Sequence, residues 1–168
     1  MKLSPLQLVQ SHFTAFSIVS RDIDQEVVAA NLDPYPPVSP DQIETRVQLG
    51  LPEGEDDPRQ FLVKVGISTA KELPEDFPYK FAVQIEGIFD IEDDGDREDR
   101  ERLVVINGGS MLVGIIREQL LSLTLRHKHG PLQLPALDFR ALRPEKKLSA
   151  TPEPKEKSKR IRRKKTTE

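Results

Sequence analysis

The chain has 168 residues, of which 32% are charged and 5% aromatic, and it contains no cysteine. That length suits one domain with a real core and is too short for two ordinary ones, and the lack of cysteine excludes both a disulfide scaffold and a thiolate metal site. Charge is unevenly spread: residues 143–168 carry 11 Lys/Arg against 4 Asp/Glu, whereas the residues before them carry 14 against 24, so an acidic body that repels nucleic acid precedes a basic tail that attracts it.

Leu3 to Val19 is interrupted by Ser, Gln, Pro, His and Thr, unlike the core of a signal peptide. No apolar run reaches the ~18 residues of a membrane span. The expectation is a cytoplasmic protein.

A short helical turn is expected after Ser4-Pro5, followed by a first strand over Phe13–Ser20, with aromatic and β-branched residues on both faces. Asp22 to Pro40 holds Pro34, Pro36, Pro37 and Pro40, which withhold backbone donors and set an extended crossing loop. Ile43, Thr45, Val47, Leu49 and Leu51 alternate with Glu44, Arg46, Gln48 and Gly50, Phe61, Val63, Val65 and Ile67 with Leu62, Lys64, Gly66 and Ser68, and then Phe81, Val83, Ile85, Gly87, Phe89 and Ile91 recur at every second position. With turn-rich acidic connections between them, these read as half-buried strands of an antiparallel meander.

Asp96, with Asp99 three residues on, is placed to cap a helix that runs towards Arg126 through a weak point at Gly108-Gly109. Met111, Leu112, Val113, Ile115, Ile116, Leu120, Leu121, Leu123 and Leu125 cover more of its circumference than one apolar stripe. Such a helix must be buried on more than one side, and a second subunit is the simplest cover for the second side. From residue 143 the chain is Pro, Lys, Glu, Ser and Thr without periodicity, which reads as a disordered tail.

Three segments together resemble the SecB family of protein-export chaperones. Phe13 to Ile23 looks like the family's first strand with its closing basic residue, Asp and Ile. Glu86-Gly87-Ile88-Phe89-Asp90-Ile91 is similar to the end of its last strand, and Arg117-Glu118 with Pro131-Leu-x-Leu-Pro-x-x-Asp-Phe139 to its helix and exit loop. The resemblance reaches from about Phe13 to Leu142, the middle strands matching in pattern only.

It implies an α+β fold, a four-stranded antiparallel sheet with a long C-terminal helix packed on one face, for a domain over residues 1–142 followed by the basic tail 143–168. It also implies a homotetramer, a dimer of dimers with the long helices sandwiched between sheets, and ATP-independent holding of unfolded clients without a cofactor. Asp22 and Glu26 match the positions that help dock the translocase motor ATPase in export chaperones. A later acidic contact is replaced by Ala82, with Lys80 beside it, and the tail is basic where the export chaperones end in acidic, Gln-rich sequence. A solitary SecB-like chaperone protecting an antitoxin would share the body without the motor.

A holdase needs exposed apolar surface and backbone groups, because unfolded segments share only those. The candidates for client contact are Leu32, Tyr35 and Val38 in the crossing loop and Leu132, Leu134 and Leu137 after the helix; the competing reading is that these loops cap the core. Met111, Ile115, Ile116, Leu120 and Leu123 are the candidates for the oligomer interface. His127-x-His129 offers two imidazoles, short of a zinc site, and suits the negative end of a helix. Asp93-Asp94-Gly95-Asp96 lacks the closing Glu of a calcium loop. With no phosphate loop and no nucleophile elbow, the chain is expected not to be an enzyme. The remaining reading from another class is nucleic-acid binding through the tail, where no aromatic residue is interleaved for base stacking.

Overall fold

The computed structural model describes residues 3–23, 38–52, 54 and 56–140, and the backbone of Glu145–Ser149. Four antiparallel strands, β1 (Leu6–Ser20), β2 (Ile43–Leu51), β3 (Gln60–Thr69) and β4 (Tyr79–Ile91), carry one helix, α1 (Arg97–Thr124), on one face. A fifth short strand, β5 (Glu145–Ser149), joins β2 in parallel, giving the order β1-β4-β3-β2-β5. β2, β3 and β4 form the meander that their alternation predicts. The crossing loop falls largely outside the described residues; its end is a single 3-10 turn, Pro40–Gln42, boxed by reciprocal bonds between Ser39 and Gln42.

β1 departs from the sequence reading. It begins at Leu6, so Ser4-Pro5 leads into a strand and not into a helical turn. Its pairing with β4 shifts between Leu8 and Gln10 and again between Phe13 and Ala15. Each shift is a β-bulge, in which one extra residue, Val9 or Thr14, stands out of the ladder. Leu6, Leu8, Phe13, Phe16 and Ile18 therefore all pair with β4 residues of the helix-facing set, Ile91, Phe89, Ile85, Val83 and Phe81. Strict alternation would have sent Phe13 to the opposite face from Leu8 and Phe16. Phe13, Phe16 and Ile18 thus share the helix-facing side despite their uneven spacing, while Val19, paired with the outward Lys80, is 58% exposed on the other face.

The core lies between this face and α1. Phe61, Val63, Val65 and Ile67 of β3 and Tyr79, Phe81, Val83, Ile85 and Phe89 of β4 are buried against Val104, Val105, Leu112, Val113, Ile116 and Leu120 of the helix. Asp96 caps α1 as its spacing predicts, accepting from the Asp99 amide at 2.8 Å. The weak point at Gly108-Gly109 is a π-turn, Val104–Gly108, inside a continuous helix. A Cβ on Gly108 would lie 3.2 Å from the Phe89 ring and one on Gly109 3.3 Å from the Phe139 ring, so both glycines let the helix backbone press onto aromatic rings. Arg100 is buried at the first turn, donating to the Gly95 carbonyl at 2.8 Å and pairing with Asp57.

Candidate functional site

Beyond α1 the chain folds back along the helix it has just left. Thr124 Oγ1, fully buried, donates to the Leu120 carbonyl at 2.7 Å and accepts the Leu132 amide at 2.8 Å. Arg117 Nε donates to the Leu134 carbonyl at 2.9 Å. These two anchors draw Leu132, Leu134 and Phe139 into the core. The exit loop is thus a lid on the subunit's own interior, held by the arginine of the Arg117-Glu118 pair.

That placement corrects three of the client-contact expectations. Leu132 and Leu134 are 0% and 1% exposed and Val38 is 7% exposed; their apolar side chains are spent on the fold and offer no open surface. Leu137 is half-buried against the core. Leu32 and Tyr35 lie outside the described residues.

The turn after α1 is tied to the end of β1. His129 Nε2 donates to the Arg21 carbonyl at 2.7 Å, His127 Nδ1 is 3.3 Å from Ser20 Oγ, and both rings lie about 6 Å from that of Tyr79. The Tyr79 hydroxyl donates to the Gly130 carbonyl, and burial pushes its phenol above the ordinary value while the His129 backbone amide opposes this. Arg21 in turn donates to the carbonyls of Pro74 and Phe77 at 2.6 and 2.7 Å. These side chains are occupied in joining helix end, sheet end and turn, a role that the sequence signals only through the Arg21-Asp22-Ile23 match. Among the described residues no group of three or more His, Cys, Asp or Glu is placed to hold a metal.

Asp22 is fully exposed and 3.1 Å from Lys128 Nζ; Glu26 lies outside the described residues. Ala82 and Lys80 are exposed on the sheet face away from α1. On that same face Glu86 pairs with Lys64 at 2.7 Å and lies 3.6 Å from His12. Asp138, in the exit loop, is held down to about 2 by hydrogen bonds from Arg140.

The open apolar surface is elsewhere. Of the residues expected at an oligomer interface, Ile116 and Leu120 are fully buried against the subunit's own core, and Ile115 is half-buried. A single sheet with its exit loop covers more of the helix than the apolar count suggested. Met111 and Leu123, 42% and 39% exposed, remain open, together with Leu125. On the same helix Gly114 also faces open space, since a Cβ there would meet nothing within 4 Å. A second apolar shelf lies on β1, where Phe13, Phe16 and Ile18 are only half-buried and the two phenyl rings meet edge to face at 5.5 Å. By length and composition α1 could cross a membrane, but its apolar residues Leu112, Val113, Ile116 and Leu120 are seated on the sheet.

No family model and no curated protein matches the chain. Among solved structures it is similar to a SecB-like chaperone of Mycobacterium tuberculosis in complex with an antitoxin peptide, at 15% identity and a TM-score of 0.50, over 79% of this chain and 88% of that one. A protein of unknown function from Streptococcus agalactiae is similar at 11% identity and a TM-score of 0.43, over 80% of this chain and 97% of that one. The first likeness shows that the fold is SecB-like: an antiparallel four-stranded sheet carrying one long helix.

Proposed function

We propose that this protein is an ATP-independent holdase of the SecB-like kind, which binds extended or unfolded polypeptide on apolar surface that its own subunit leaves open. The observation that carries the reading is the pairing of a SecB-like fold with uncovered hydrophobic side chains on α1 and half-covered ones on β1. Burying one client leucine contributes about 1.5–3 kcal/mol. Micromolar capture needs about 8 kcal/mol in all, so several such contacts must act together.

Self-association supplies them. Met111 and Leu125, which share a side of the helix with Gly114, and Leu123 on its flank are the residues proposed to meet a second copy, and a dimer of dimers is the assembly proposed. Client contact falls to Leu137 and the β1 shelf, with Leu32 and Tyr35 as further candidates. The protein works in the cytoplasm, without a cofactor or a catalytic group.

Two clients compete. An antitoxin is favoured, because the M. tuberculosis chaperone was solved with an antitoxin peptide. Supply of precursors to the Sec translocase is the other, with Asp22 and Glu26 docking its motor, but Ala82 and Lys80 leave that face without the further acidic contact.

The test is suppression of aggregation of two unrelated, chemically unfolded proteins by the full chain and by a chain ending at Leu142. Suppression by both supports the holdase. Loss of all activity on truncation, together with RNA binding that weakens steeply as salt is raised, would move the function to the basic tail.

A further inference from the structure

β5 sits oddly in this sheet. It is the parallel strand among antiparallel ones, it is five residues long, and its pairing reaches only Gln48, Gly50 and Leu51 of β2, with an irregularity between the first two. Parallel pairing is the weaker kind per residue, and an irregular ladder of three pairs is thin. Among the described residues no strand pairs with Ile43–Val47 on the same side of β2. Among the described residues the edge is therefore half paired by a segment of the chain's own C-terminal region and half unpaired.

An open edge presents a row of backbone N–H and C=O groups that accepts any extended chain. Backbone pairing of that kind is indifferent to the client's sequence, which is what a holdase requires. We infer that the β2 edge is a strand-docking site for extended client polypeptide, and that Glu145–Ser149 is its resident, displaceable occupant. A client segment starts on Ile43–Val47 and advances along β2, removing β5 as it goes, so self-occupation and capture exclude one another. The inference rests on the holdase reading and adds to it a device by which the chain holds its own edge closed until a client arrives. It also assigns a role to the start of the basic region: the segment guards the edge, and the apolar surfaces of α1 and β1 remain free for side-chain contacts.

Gln48 and Glu145 are paired across the β2–β5 ladder, and the chain has no cysteine, so Gln48→Cys with Glu145→Cys allows the occupant to be locked by oxidation and released by reduction. The probe is a reduced, carboxymethylated model protein that cannot refold, its affinity measured for both redox forms of the full-length variant, with the unfolding midpoint of each checked to show that oxidation leaves the fold intact. Locking should weaken capture about tenfold, and a chain ending at Leu142, which lacks β5, should capture more strongly by the fraction of molecules that β5 had kept closed. Hydrogen exchange should show Glu145–Ser149 losing protection as the probe binds while β2 keeps its own. Equal affinity of the oxidised and reduced forms, or continued protection of β5 in the bound state, overturns the inference and leaves the holdase reading standing. Failure of the natural chain to bind the probe at all removes the holdase reading itself.

Discussion

Thr124 satisfies two chain segments with one oxygen. Its hydroxyl closes the last turn of α1 and receives the amide that starts the exit loop, in a place water does not reach. Replacing it with valine keeps the shape and leaves the Leu132 amide buried without an acceptor, at a cost of about 1–3 kcal/mol. Thr124→Val should lower the denaturant midpoint of unfolding accordingly without changing the slope, and a midpoint equal to that of the natural chain would show that the loop is held by Arg117 alone. The sequence marks Arg117 through its match to the family's helix and says nothing of Thr124, and in neither case does it give the anchoring role, because the partners are carbonyl and amide groups, which every residue has.

The elements divide according to how local their causes are. β2, β3 and β4 were legible almost to the residue because each alternates without a break, and the helix start because Asp96 and Asp99 form a local cap. β1 and the middle of α1 were not, because both depend on what they pack against. The π-turn lies beside Phe89, whose buried ring would stand 3.2 Å from a Cβ on Gly108. Gly108 and Gly114, both in the helix interior, therefore make opposite forecasts. Gly108→Ala should destabilise, since overpacking against the ring costs about 1–3 kcal/mol and outweighs the gain in helix propensity. Gly114→Ala meets open space and should stabilise an isolated subunit by about 0.5–1 kcal/mol. Thermal unfolding of the pair reads both signs at once.

At the scale of the molecule, the question is which apolar residues build the subunit and which are left to join it to others. The sequence places all of them on one helix and cannot sort them, since Met111 and Leu112, or Leu120 and Leu121, differ only in angle around an axis whose neighbours are unknown. Burial sorts them. Met111→Glu with Leu123→Glu should reduce the mass of the native assembly in light scattering while the circular dichroism spectrum stays unchanged. Ile116→Asp should instead abolish the fold, because it puts a carboxylate into a site without water or partner. An unchanged mass in the double variant would remove α1 from the interface. The expected client contacts suffered from the same ambiguity: Leu132 and Leu134 looked spare because no strand claimed them, yet an arginine and a threonine on the helix claim their backbone. The two irregular points of β1 have a consequence for the gene as well. Excising Val9 or Thr14 would leave every other side chain of the strand pointing where it does now, whereas losing a codon from the middle of the run between them would turn part of the strand inside out. Length differences among homologues should therefore accumulate at those two codons and be purged from the rest of the strand.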